Sequence, residues 1–302
     1  MSVDSSLVAM LDIVSEFAKE DGRYQTRVDG LVINRQSAPV QSFNASQRPC
    51  FALVLQGAKT LQVGSDFYHY GVGDCLVAAV SLPCTSSVIR ASIKAPHFGL
   101  ALAFDPDRLR CMIGRVGKPP LNSTNVRRAV DVSTASSALL EATLRLLSLL
   151  KHEEDIPVMA PLIQDEILYR LATGPFGPRL LQIAIAETPS NRVARAIAWL
   201  RRNYDQPLRI DELAKRVGMS ESSLYHHFRA VTALTPMQYQ KQLRLYEARK
   251  IMLSDQLDVG DASFRVGYRS VAQFTREYSR FYGHPPGRDT ATTRRAMLSG
   301  SG

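Results

Sequence analysis

The sequence predicts a two-domain α+β protein. A small β-barrel or jelly roll with accessory helices fills residues 1–178, a linker follows over 179–189, and an all-α domain takes residues 190–302. Three observations carry this. Apolar residues recur with a period near two up to about residue 104 and near 3.6 beyond it. A short motif is written twice, fifty residues apart: Val217-Gly218-Met219-Ser220, then Leu224, Phe228 and Pro236, returns as Val266-Gly267-Tyr268-Arg269-Ser270, then Phe274, Tyr278 and Pro286. Charge is also divided unevenly. Residues 1–189 hold 18 basic and 18 acidic side chains, whereas 190–302 hold 19 against 10, so the whole net charge of +9 lies on the repeat-bearing part.

In the first domain, segments 28–34, 51–56, 59–63, 67–70, 76–80, 87–93 and 98–104 are rich in Val, Leu, Ile and aromatic residues. Gly57, Gly64, Gly71 and Gly73-Asp74 separate several of them, as turns separate antiparallel strands. Phe51-Ala52-Leu53-Val54-Leu55 is apolar on both alternating sets, which suits a strand covered on both faces. A barrel of this size can enclose one ligand.

Asp105-Pro106 then starts a helix with Leu109, Met112 and Ile113 on one side. Residues 136–150 carry Leu139, Leu140, Leu144, Leu147 and Leu150 in one stripe, and 156–171 carry Leu162, Ile163, Glu166 and Ile167. Helices of this kind either cap the barrel or form a subunit interface. Thr173-Gly174-Pro175-Phe176-Gly177-Pro178 breaks the last of them, and Glu187-Thr188-Pro189-Ser190 ends the linker.

The second domain opens with a helix over 192–203, with Val193, Ile197 and Leu200 on one face and Trp199 beside it. Another spans 210–217, with Leu213 and Val217 inward and Lys215 and Arg216 outward. After the Gly218-Met219 turn, Ser220 caps a helix over 221–231. Leu224 and Phe228 must pack inward, which leaves Ser222, Tyr225, His226 and Arg229 on the free side. Pro236 starts a helix over 237–254, about 27 Å long, a spacer that can set two reading helices about one DNA turn apart. Residues 259–266 support the second unit through Ala262, Ser263 and Val266. In 271–282, Phe274, Tyr278 and Phe281 point inward, whereas Ala272, Gln273, Thr275 and Arg276 face out with Arg269 at the helix mouth. Each unit reads as a helix-turn-helix whose second helix is narrow enough for a DNA major groove. Arg276 is the strongest base-contact candidate, because a guanidinium bonds both acceptors of guanine; a phosphate contact is the alternative.

Other chemistry finds little support. His69 and His97 lie on candidate strands with no second metal ligand beside either, so no metal site is expected. No nucleophile elbow, Ser/His/Asp signature or phosphate-cradling glycine loop is present, so no catalytic residue or cofactor is expected. Cys50, Cys75, Cys84 and Cys111 form no CxxC and are read as buried thiols. No apolar run reaches membrane-spanning length, and residues 1–20 mix Asp4, Asp12, Glu16 and Lys19 among apolar residues, unlike a signal peptide. A cytoplasmic protein with no membrane partner is expected.

The residues also carry a resemblance. Ile210-Asp211-Glu212-Leu213-Ala214, Gly218-Met219-Ser220, Leu224-Tyr225-His226-His227-Phe228, Thr235-Pro236-Met237-Gln238-Tyr239 and Arg244-Leu245-Tyr246-Glu247-Ala248-Arg249 stand in order. Phe264-Arg265-Val266-Gly267-Tyr268-Arg269-Ser270, Gln273-Phe274-Thr275-Arg276-Glu277-Tyr278 and Gly283-His284-Pro285-Pro286 complete the set. Residues 190–289 thus resemble the DNA-binding domain of the AraC/XylS family of bacterial transcription regulators. Leu55-Gln56-Gly57-Ala58-Lys59, Tyr70-Gly71-Val72-Gly73-Asp74 and Leu82-Pro83 are similar to that family's cupin-like, effector-sensing N-terminal type. The resemblance implies a seven-helix DNA-binding domain in which helices 221–231 and 271–282 read the groove. Tyr225-His226 departs from the commoner long polar pair, and Ala272 is short.

The expected function is a sequence-specific, DNA-binding transcription regulator controlled by a small-molecule effector held in the barrel. Expected partners are double-stranded promoter DNA, a second copy of the chain through helices of the first domain, and RNA polymerase as a further candidate. Two alternatives belong to other classes: a cupin-type enzyme with a DNA-localising tail, and a nonspecific nucleoid-associated protein.

Overall fold

A computed structural model describes residues 3–47, 49–116, 128–185 and 188–299. Ala186 and Glu187 of the expected linker, and the last three residues of the expected second domain, lie outside them. By contacts the chain divides into two compact units, residues 1–194 with 226–233 and residues 195–225 with 234–302.

The first unit is built on ten strands: β1 (Gly22–Gln25), β2 (Leu31–Gln36), β3 (Val40–Gln47), β4 (Cys50–Gln56), β5 (Ala58–Val63), β6 (Asp66–Gly71), β7 (Asp74–Ala78), β8 (Leu82–Arg90), β9 (His97–Ala103) and β10 (Val130–Thr134). They form two antiparallel sheets rather than one closed ring, six-stranded in the order β1-β2-β9-β4-β7-β10 and four-stranded in the order β3-β8-β5-β6. Central β4 is buried along almost its whole length, as its unbroken apolar run requires. Phe51 and Leu55 join the main core, Ala52 and Val54 line a cavity, and Leu53 belongs to both. On β9, Phe98 and Leu102 enter the core, Gly99 and Ala101 line the cavity, and Leu100 again belongs to both.

That core is completed by helices α1 (Val3–Phe17), α2 (Pro106–Val116), α3 (Ser137–Ser148), α4 (Ile156–Thr173) and α5 (Gly177–Ala184). Met10 and Val14 of α1, Leu140 and Leu147 of α3, and Ile167 of α4 are almost wholly buried in it. Leu162, expected on the buried stripe of α4, is instead 60% exposed, while Ile163 and Ile167 are buried. Cys50, Cys75 and Cys84 are buried as expected; Cys111 is exposed on α2.

The chain continues through α6 (Pro189–Arg202), α7 (Ile210–Val217), α8 (Glu221–Thr232), α9 (Pro236–Ser254), α10 (Val259–Arg265), α11 (Val271–Tyr282) and α12 (Pro286–Ser299), seven helices among the described residues. The protein is therefore α+β, with a sheet-rich N-terminal part and a helical C-terminal part bearing two helix-turn-helix units. Among the described residues, no helix is long and apolar enough to cross a membrane.

Candidate nucleic-acid interface

The duplicated motif is duplicated structure. Val217 and Val266, Leu224 and Phe274, and Phe228 and Tyr278 are all buried at equivalent places. Gly218 closes α7 in the left-handed region at φ 71°, and Gly267 follows α10 at φ 88°. A side chain at Gly267 would have no room, since a Cβ there would fall 2.0 Å from the Asp205 carbonyl oxygen. Helices α8 and α11 each start on a serine cap: the Ser223 amide donates to Ser220 Oγ at 3.2 Å, and the Gln273 amide donates to Ser270 Oγ at 3.3 Å.

Ser222, Tyr225, His226 and Arg229 are all exposed on α8; Tyr225 and His226 are adjacent and each lies three or four residues from Ser222 and Arg229, so the four form one stripe opposite buried Leu224, Phe228 and Val231. His226 and His227 meet edge to face with centroids 5.0 Å apart. Burial and the neighbouring His226 lower the His227 pKa, which fits its place off the free stripe.

On α11, Ala272, Gln273 and Arg276 are exposed, Thr275 is half-buried, and Arg269 is exposed just ahead of the helix. Gln273 Nε2 donates to Glu277 at 3.3 Å; the Tyr268 hydroxyl donates to the same carboxylate at 2.9 Å, and the Lys241 ammonium lies 3.5 Å from it. Gln273 is thus oriented before any ligand arrives, whereas Arg269 and Arg276 form no ion pair among the described residues. Arg280, one turn beyond Arg276, is also exposed and unpaired. Sequence reasoning passed over it, though its spacing from Arg276 was the signal.

Two basic residues of the second unit prove structural. Arg244 donates to the carbonyls of Tyr204, Asp205, Gln206 and Gly267 and lies over the Tyr268 ring. It joins the loop after α6 to the second turn and is not a free phosphate arm. Arg216, outward on α7, rests over the Trp199 ring at 5.6 Å.

The first unit holds a different kind of site, a cavity of about 250 Å³ lined by both sheets. Tyr70 faces it, and Tyr68 does not line it. Arg35 is paired with Asp21 at 3.0 Å, and Arg90 and Lys94 are exposed, so none of these three supplies its charge. The basic side chains at the cavity are Lys59 and Arg23. Among the described residues, no group of three or more His, Cys, Asp and Glu is placed to hold a metal ion.

A sheet domain with an internal cavity, followed by paired helix-turn-helix units with exposed polar stripes, defines the class of two-domain, DNA-binding regulators. Residues 27–179 match the AraC-type transcriptional regulator N-terminus and residues 213–291 match a helix-turn-helix domain. The chain belongs to the AraC family of transcriptional regulators. It is 24% identical over 157 residues to the HTH-type transcriptional regulator ExsA of Pseudomonas aeruginosa, a match spanning 52% of this chain and 56% of that protein. It is 20% identical over 241 residues to the lactose operon transcription activator of Staphylococcus xylosus, spanning 80% and 83%. Its fold is similar to that of ToxT from Vibrio cholerae bound to (E)-4-(8-methylnaphthalen-1-yl)but-3-enoic acid, with a TM-score of 0.56 at 8% identity over 82% of this chain and 92% of that one.

Proposed function

We propose that this protein is a sequence-specific transcription regulator that reads promoter DNA with α8 and α11, acts as a dimer in the cytoplasm, and answers to a small molecule bound in its first unit. The observation that carries the reading is the pair of serine-capped helices, each buried on one face and polar on the other. Ser222, Tyr225, His226 and Arg229 form the first contact set; Arg269, Ala272, Gln273, Thr275 and Arg276 form the second. Net charge supports it, since all of the +9 belongs to residues 190–302.

Effector control is supported by the cavity between the sheets and by likeness to ToxT, whose solved forms include one bound to a carboxylic acid. On this reading the protein binds its small molecule rather than transforming it. Titrating the full chain against operator and scrambled DNA over a range of salt tests the central claim. A specific regulator keeps a preference for operator of about 10³-fold or more, whereas phosphate-only binding shows almost none and overturns it.

A further inference from the structure

Strand β5 alternates, and Lys59, Leu61 and Val63 share its inward face, with the latter two buried. Lys59 therefore stands where the pattern calls for a third apolar residue. Register sets it beside Tyr70 of β6 and Val88 of β8, and all three line the cavity. The turn before it cannot relax, because Gly57 has φ 85° and a Cβ there would fall 2.4 Å from the Arg90 carbonyl oxygen. The glycine at this turn is therefore fixed, and strand alternation from it carries the Lys59 side chain inward.

No acidic residue lines this space, and neither Lys59 nor Arg23 forms an ion pair among the described residues. Burial pushes the Lys59 ammonium down from its usual pKa, as expected for an enclosed cation whose polar neighbours in the lining, Asn34, Gln36, Ser86 and Tyr70, are all uncharged side chains. An anion entering the cavity relieves that state; a neutral ligand does not. The walls are small and apolar at Ala52, Gly99 and Ala101. A cavity of about 150 Å³ accommodates benzene, so about 250 Å³ suits a ligand of about ten non-hydrogen atoms.

We propose that this cavity takes a small organic monocarboxylate, its carboxylate on Lys59 and its apolar body against Ala52, Gly99 and Ala101. Among the described residues, Lys59 is the one cation on the enclosed face and matches one negative charge, whereas Arg23 is exposed to solvent, so a phosphate dianion would carry its second charge into the cavity without an enclosed partner. Arg23, exposed on β1, adds a second cation that draws the acid in. The inference rests on reading the cavity as the effector site and adds the ligand's class and size.

Calorimetry on the full chain compares benzoate and hexanoate with benzamide and hexanamide, and with palmitate and phenyl phosphate. The two small acids should bind at least about tenfold more tightly than their amides, the worth of a charge-assisted hydrogen bond. Palmitate and phenyl phosphate should bind more weakly than either acid. Lys59→Met should remove the preference for acid over amide and raise the melting temperature, because it deletes an unpaired buried charge. Equal binding of acid and amide by the unaltered chain overturns the proposal without recourse to any variant, as does tightest binding of palmitate or phenyl phosphate, or no acid binding at about 10 mM. An acid preference that survives in Lys59→Met overturns it too. Operator titrations with and without benzoate separate the two readings: acid binding that leaves operator affinity unchanged supports the site and overturns only its regulatory role.

Discussion

Arg244 and Arg276 lie on neighbouring helices of one domain, and the first is committed to four backbone carbonyls while the second is unpaired. From the sequence, Arg276 is a base-contact candidate with a phosphate contact as its alternative, and Arg244 stands in a family-like motif with no role assigned. Only the backbone path around Gly267 shows that Arg244 is enclosed, since its acceptors lie 23 to 40 residues away in the chain. Arg244→Ala should therefore lower stability by about 2–3 kcal/mol, leaving buried carbonyls without donors. Urea melts at neutral pH check this, and a melt unchanged from the parent would return Arg244 to the surface. Arg276→Ala should leave the melt within about 0.5 kcal/mol of the parent. On the preferred operator it should cost about 1–3 kcal/mol and relax selectivity at one or two base pairs. A mutant-operator scan distinguishes the roles, because equal weakening on every sequence would make Arg276 a phosphate contact.

At the scale of elements, α9, α11 and α12 are tied by a polar cluster inside the second unit. Arg249 Nε donates to Asp289 at 2.7 Å, its second nitrogen donates to the same carboxylate at 3.2 Å, and the Tyr278 hydroxyl adds a bond of 2.6 Å. Burial pushes the Asp289 carboxyl up, but the bonds from Arg249 and Tyr278 outweigh it and hold its pKa below the usual value. Because the folded-state pKa is depressed, the cluster's stabilisation is complete above the unfolded carboxyl's pKa of about 4 and is lost as pH falls through the folded value. Unfolding free energy should fall between about pH 5 and pH 3 in urea melts, and Asp289→Asn should flatten that slope. Arg249→Ala at pH 7 should cost about 3 kcal/mol, since it strands a buried carboxylate. These partners were invisible in the sequence because α12 carries no strong apolar stripe to announce it. The reading helices were legible, for Leu224, Phe228, Phe274 and Tyr278 repeat at helical spacing and leave only one face free. Strands β1, β3 and β10 are not legible in the sequence: Tyr24 is the one aromatic residue of Gly22-Arg23-Tyr24-Gln25, Val40 and Phe43 stand among polar and small residues in β3, and β10 follows a helix. Lys59 heads a strand that the sequence predicts over 59–63, but strand alternation does not say which face encloses a cavity.

Across the whole molecule, the basic excess and the paired helices α8 and α11 fall within residues 190–302, while the cavity lies in the first unit. A fragment beginning at Pro189 should accordingly fold and still prefer operator over scrambled DNA, with a steep loss of affinity as salt rises. It should bind more weakly than the full chain if the first unit pairs two copies, since linked reading domains gain effective concentration without new DNA contacts. Helix α4 supplies the candidate face: Val158 and Leu162 stand one turn apart and are 68% and 60% exposed, with Tyr169 further along at 42%. Ile163 and Ile167 on the same helix are buried, so the exposed row is additional to the core and covers nothing within it. Leu162→Glu places a carboxylate in that row without touching the core or the DNA-reading stripes. The full-length variant should sediment as a monomer, melt as the parent monomer does, and bind a two-site operator about 10²-fold more weakly, at the level of the fragment. The fragment never contained α4, so its affinity sets the independent reference. A variant that remains dimeric would move the interface away from α4. One that becomes monomeric yet binds as tightly as the parent would show that each chain reads its operator alone, with both helix-turn-helix units engaged.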